Sequence, residues 1–199
     1  MQLIVISPPE ADPREVPALG AMLASGLERY HLRKPAWSAR ELEAWIRALP
    51  GEWRGRIVLH GHPGLARALA LAGSHARDED VPRAEGVISR SCHDLEGLRR
   101  HLSVYPQVVF GPVFPSITKP GYGPDPSFPW EELAAVLRGA ATRVIAVGGV
   151  TAARLGRCSE LGFQGAAVVG AVWASADPAG AYTDLRSAAL QLSGRRHAA

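Results

Sequence analysis

Eight short strand-like segments, most of them apolar and separated by helical patterns, limit what this chain can fold into more than any other feature of it. They are read as strands over residues 2–7, 27–32, 56–60, 72–75, 86–89, 107–111, 143–147 and 165–169. Several are apolar at successive rather than alternate positions, the mark of strands covered on both faces in a parallel sheet. The intervening patterns are helical. Ser38-Ala39-Arg40-Glu41 has the form of a capping box, followed by Leu42, Trp45, Ile46 and Leu49 at helical spacing. Pro63 opens a short helix, Asp94 can cap one carrying Leu95, Leu98 and Leu102, and further helices are expected over 130–137, 151–161 and 178–192. Eight strand–helix units are the count that closes a (β/α)8 TIM barrel, and 199 residues suffice for one. An open doubly wound sheet would want a glycine fingerprint after the first strand, where Ser7-Pro8-Pro9 stands instead. The expected fold is therefore α/β, a TIM barrel, as a single domain over residues 1–199.

In such barrels the chemistry sits where the strands end. The sixth run empties into Gly111-Pro112-Val113-Phe114-Pro115-Ser116-Ile117-Thr118-Lys119, which puts two hydroxyls and an ammonium within four residues. Those groups can grip a phosphate. The seventh run ends at Gly148-Gly149 and the eighth at Val169-Gly170, where backbone N–H groups can approach an anion closely. Three consecutive strand exits thus point to one phosphate.

Histidines gather at the same predicted end of the barrel. Five of the seven, His31, His60, His62, His75 and His93, fall at or just after strand ends. Imidazole is suited to proton transfer near neutral pH, and His93 is the leading acid–base candidate. His31, His60 and His75 would come from adjacent strands, as the ligands of three-histidine zinc sites can. Spacing across strands is not a motif, however, and makes no metal assignment. Arg33 shares parity with His31 and is a better anion contact than Lys34. Asp78, Glu79 and Asp80 read as a solvated loop in preference to a magnesium site.

Composition excludes several classes. The formal net charge of +3 is dispersed, without the basic stripe that nucleic acid requires. No apolar run approaches the roughly 20 residues of a membrane span, and the first residues lack a signal peptide's basic region. Cys92 and Cys158 match no metal or redox spacing, which fits a reducing cytoplasm. The expected partner is a small phosphorylated molecule, with neither nucleic acid nor membrane.

The motifs taken together resemble the thiamine-phosphate synthase/TenI family over nearly the whole chain. The carrying segments are His31-Leu32-Arg33-Lys34, Gly73-Ser74-His75, Ser91-Cys92-His93, the run from Gly111 to Lys119, Ala146-Val147-Gly148-Gly149-Val150 and Gly165-Ala166-Ala167-Val168-Val169. The resemblance implies a barrel that binds a phosphorylated thiazole heterocycle and, in the synthase, a pyrimidine diphosphate with Mg²⁺. It also leaves room for a homodimer. It places thiazole phosphate on Ser116, Thr118, Gly148, Gly149, Val169 and Gly170, matches Lys119 to a diphosphate-contacting lysine, and sets Ser91 near the family's serine. The family's Gln-x-Arg-x-Lys is replaced here by His31, Arg33 and Pro35, and its Asn-Asp by His60-Gly61. One magnesium carboxylate is therefore missing, while Asp80 falls where the other is expected. On these departures the first expectation is a TenI-like thiazole phosphate tautomerase that needs no cofactor. His93 would move the proton, with Lys119 and Arg33 against the substrate's anionic groups and His31, His60 and Ser91 lining its site. The alternatives are a thiamine-phosphate synthase using Mg²⁺ and a non-catalytic phosphate-ligand binder.

Overall fold

Each of the eight apolar runs pairs in parallel with the next, and the last pairs with the first. The computed structural model describes residues 1–77 and 85–196. Its strands are β1 (Gln2–Ile6), β2 (Arg29–Leu32), β3 (Ile57–His60), β4 (Gly73–Ala76), β5 (Val87–Cys92), β6 (Gln107–Phe110), β7 (Arg143–Val147) and β8 (Gly165–Val168), closed as a barrel in chain order. The helices are α1 (Glu15–Ala24), α2 (Ala39–Ala48), α3 (Pro63–Ala68), α4 (Leu95–His101), α5 (Trp130–Gly139), α6 (Leu155–Leu161), α7 (Gly170–Trp173) and α8 (Pro178–Arg196). None is long and apolar enough to cross a membrane among the described residues.

Local chemistry explains most of these bounds. The Ser38 hydroxyl accepts from the Glu41 N–H while the Glu41 carboxylate accepts from the Ser38 N–H, so α2 starts on the expected box. The Asp94 carboxylate accepts from the Gly97 N–H at 2.6 Å and starts α4. Strand β5 is longer than its apolar run. Its pairing with β6 continues through Ser91↔Val109 and Cys92↔Phe110, because backbone pairing in a closed ladder does not require apolar side chains. The helix expected from Thr151 begins as a 3-10 turn (Ala152–Arg154), and α1 and α7 carried no signal that singled them out.

The strand period of two divides the side chains. Leu3, Val5, Tyr30, Leu32, Ile57, Leu59, Val108, Phe110, Val144, Ala146, Ala166 and Val168 face the helices and form the main core. A second cluster of Ile4, Ile6, Val109, Ile145 and Ala167 fills the barrel axis on the β6–β1 side. The other half of the axis is polar. His31, His75 and Ser89 from β2, β4 and β5 are buried there, and His60 of β3 is half-buried beside them.

Candidate active site

One pocket of about 700 Å³ opens at the C-terminal ends of the strands. The described residues expected to bind substrate or act on it line the pocket: His31, Arg33, His60, Ser91, His93, Ser116, Thr118, Lys119, Gly148, Gly149, Val169 and Gly170. His62 does not; it is exposed at the start of α3. Asp80 lies outside the described residues.

The wall on the β6–β8 side is built by close backbone approach. The segment after β6 crosses over the ends of β7 and β8, with the Val113 N–H donating to the Val147 carbonyl at 2.9 Å and the Phe114 N–H to Gly148 at 3.1 Å. A Cβ on Gly149 (φ +62°) would stand 2.2 Å from the Pro115 carbonyl oxygen. One on Gly170 would meet Ile117 and Thr118 at 2.9 Å. The two glycines thus bring the hydroxyl-bearing loop against the β7 and β8 exits, where the sequence placed its phosphate. Ser116 Oγ accepts from the Thr118 and Lys119 N–H groups at 3.3 and 3.1 Å, which leaves its own hydroxyl proton to donate into the pocket. Lys119 is exposed, with its ammonium 5.8 Å from the Tyr122 ring.

The opposite wall carries cations. Arg33 follows β2 and Arg77 follows β4, each two residues beyond a pocket histidine and therefore on the same side of its strand. Arg77 was not anticipated, although its parity with His75 was available. Lys34 has another role. Its ammonium is buried, donating to the Pro8 and Glu10 carbonyls at 2.8 and 2.7 Å and to the Glu15 carboxylate at 2.5 Å. Ser7 adds a second tie. Its hydroxyl donates to the Arg33 carbonyl at 2.9 Å and accepts from the Arg33 N–H at 2.8 Å. These bonds fix the backbone from which Arg33 reaches the pocket.

Between the two walls stand the histidines. His31 Nδ1 and His60 Nε2 are 3.1 Å apart, and the His60 and His75 rings stack with centroids 4.2 Å apart. His75 is held between two hydroxyls, Nδ1 to Ser89 Oγ and Nε2 to Ser91 Oγ, both at 2.8 Å. Burial disfavours charge on all three rings. His75 and Arg29 add to this for His31, His75 and His31 for His60, and Arg33 and Arg90 for His75, which is lowered to about 3. The consequence for stability has a definite sign. Between pH 6.5 and about 3 the unfolded chain takes up protons that folded His75 refuses, so stability falls as pH falls through that window. In chelator-containing buffer, urea unfolding should lose about 1.4 kcal/mol per pH unit for each refused proton. His75→Gln should reduce that slope by about one proton; an unchanged slope would remove His75 from the account.

His93 differs from these three. It is exposed, and its Nδ1 lies 2.6 Å from the Gly111 carbonyl oxygen. A carbonyl only accepts, so Nδ1 carries the proton and Nε2 of the neutral ring is left with a lone pair. This is the arrangement of a general base.

The donor set is a poor one for Mg²⁺, which takes oxygen ligands and usually at least one carboxylate. Among the described residues that line the pocket there is no carboxylate. The nitrogen donors His31, His60 and His75 do converge, with one ligand atom from each lying within 4.8 Å of the others.

Fold and pocket together define a (β/α)8 barrel with its cleft at the C-terminal ends of the strands. A family model described as thiamine monophosphate synthase matches residues 3–172, and the chain belongs to that family. It is 31% identical over 206 residues to a thiamine-phosphate synthase of Rhodospirillum centenum, covering 92% of this chain and 95% of that one. A thiamine-phosphate synthase of Synechococcus sp. (strain WH7803) is 32% identical over 201 residues, and there the match covers 92% of this chain but spans only 56% of the relative's length. Among solved structures, thiamine phosphate pyrophosphorylase from Bacteroides thetaiotaomicron superposes with a TM-score of 0.77 at 25% identity, covering 95% of this chain and 98% of that one. The Pyrococcus furiosus protein of the same name, at 22% identity, a TM-score of 0.79 and 96% of both chains, shares the fold. These names favour a synthase over the tautomerase expected from the sequence.

Proposed function

We propose that the chain is a thiamine-phosphate synthase, a transferase that joins a pyrimidine diphosphate to a thiazole phosphate. The observation that carries this reading is the two-walled pocket. A hydroxyl and glycine wall from β6–β8 faces Arg33 and Arg77 across the barrel, because β2 and β4 lie opposite β6 and β8 in the closed strand order. Two phosphorylated substrates need two anion sites facing each other, and about 700 Å³ accommodates both. Ser116, Thr118, Gly149 and Gly170 hold the thiazole phosphate. Arg33 and Arg77 hold the diphosphate and take up the charge that collects on it as its bond to the pyrimidine carbon breaks. The thiazole nitrogen supplies the electron pair for the new carbon–nitrogen bond. Mg²⁺ belongs to this reaction class, but the described lining residues do not form its ligand set, and no step is assigned to it.

One observation favours a second reading. The His93–Gly111 hydrogen bond prepares a base for moving a proton between positions of one thiazole, as a TenI-type tautomerase does. The two readings part in one assay. The protein is given both substrates in Mg²⁺-containing buffer, and thiamine phosphate and diphosphate are measured. Equal release of both products, reduced at least about 100-fold by Arg33→Ala, is the expected result. No transfer, with isomerisation of a thiazole carboxylate phosphate that disappears in His93→Ala, would replace the proposal by the tautomerase. Neither activity, with a thermal shift on thiazole phosphate alone, would leave a binding protein.

A further inference from the structure

We propose that His31, His60 and His75 form a binding site for a transition-metal ion of the zinc class, with one coordination position open to the pocket. The argument begins with an asymmetry inside the barrel. On the β6–β1 side the axis is filled by Ile4, Ile6, Val109, Ile145 and Ala167. Packing there is solved with aliphatic side chains, so nothing about closing this barrel requires imidazoles on the other side. Yet β2, β3 and β4 each place a histidine on the axis, His31 and His75 at only 1% exposure. Burying polar rings is costly unless their nitrogens are used, and here those nitrogens converge on one another.

The geometry fits a shared ion. Zinc binds imidazole nitrogen at about 2.0–2.1 Å in tetrahedral sites, which sets ligand nitrogens about 3.3 Å apart. His31 Nδ1 and His60 Nε2 are already 3.1 Å apart, and the third ligand atom lies within 4.8 Å. Binding an ion requires the rings to turn until all three lone pairs face one point. His75 is also prepared from behind. In the tautomer whose Nδ1–H donates to the buried Ser89 hydroxyl, Nε2 is the nitrogen with a lone pair, on the side of Ser91 Oγ and the pocket. That hydrogen bond behind a ligand fixes tautomer and ring orientation, as outer partners of metal-bound histidines do. Three nitrogens on one side of an ion leave the fourth position to water or to an anionic oxygen of whatever occupies the pocket. Imidazole donors favour Zn²⁺, Co²⁺, Ni²⁺ and Cu²⁺ over Mg²⁺. The inference does not rest on the transferase reading.

The test uses untagged full-length protein stripped with chelator and titrated with Co²⁺, whose visible ligand-field bands report four-coordinate nitrogen sites. One equivalent of Co²⁺ should bind, be displaced by Zn²⁺, and be untouched by Mg²⁺. His60→Asn should abolish stoichiometric binding, whereas His62→Asn, two residues along and outside the cluster, should retain it. Ser89→Ala should weaken affinity about 10–100-fold. Should the His60 variant fail to fold, X-ray absorption at the zinc edge of the wild-type protein settles the ligands, with three imidazoles expected. Substoichiometric metal, binding that survives His60→Asn, or a zinc spectrum without imidazole scattering would each overturn the site. Metal content and spectra are read without turnover. A transferase that binds no Co²⁺ would defeat this proposal alone, and a Co²⁺-binding protein without transfer would defeat only the functional one.

Discussion

Gly149→Ala should eliminate binding of thiazole phosphate and lower the melting temperature of the free protein. The added methyl group would lie 2.2 Å from the Pro115 carbonyl oxygen and 2.9 Å from Phe114 Cβ, on a backbone with φ at +62°. A left-handed conformation costs a non-glycine residue about 1–2 kcal/mol, and overpacking adds about 1–3 kcal/mol. Relief comes only by lifting the segment from Pro112 to Thr118 off the β7 exit, which carries Ser116 and Thr118 away from Gly170. Thermal shift with and without thiazole phosphate reads both effects. Gly156→Ala is the control. That glycine sits in α6 with nothing within 4 Å of its added Cβ, and alanine there should stabilise by up to about 1 kcal/mol. Full ligand-induced stabilisation in Gly149→Ala would mean that the phosphate lies elsewhere.

Glu15→Ala should be as damaging without touching the pocket. The Lys34 and Glu15 side chains are 0% and 2% exposed, and Glu15 also accepts from the Tyr30 hydroxyl at 2.7 Å. Removing the carboxylate leaves an ammonium buried among carbonyls, which typically costs about 3–5 kcal/mol. For a chain of this size that lowers the melting temperature by on the order of 10 °C. The double variant Glu15→Leu/Lys34→Met removes the uncompensated charge and should recover part of the loss, the remainder reflecting the Tyr30 hydroxyl and the Pro8 and Glu10 carbonyls that lose their partners. Equal melting of Glu15→Ala and wild type would show that water reaches Lys34. Because the same ammonium holds the Pro8 and Glu10 carbonyls beside Arg33, the single variant should also raise the KM for the diphosphate substrate.

The role of Lys34 shows where reading a sequence stops. Arg33 and Lys34 are adjacent cations after β2 and are equivalent in composition. Strand parity favoured Arg33, and the structure puts Arg33 in the pocket and Lys34 in an internal ion pair with a helix 19 residues earlier. Glu15 carried no signal as a partner, because α1 itself was not picked out. Arg77 was overlooked for a smaller reason. It follows a strand without an apolar run and directly precedes the acidic residues Asp78, Glu79 and Asp80.

The order of eight apolar runs was enough to determine a closed parallel barrel, since few connections bury eight such strands. Loop chemistry determined the hydroxyl and glycine wall of the pocket, because hydroxyls and glycines in contiguous stretches of chain act together wherever the chain goes. What the tertiary structure decided is which distant side chains meet. His31, His60 and His75 are separated by whole helices in the chain, and only barrel closure and strand register bring their nitrogens within 4.8 Å. Likewise the tautomer of His93 depends on the carbonyl of Gly111, 18 residues away on the next strand's exit. Distances across a barrel are set by register and strand tilt, which no local pattern of residues encodes.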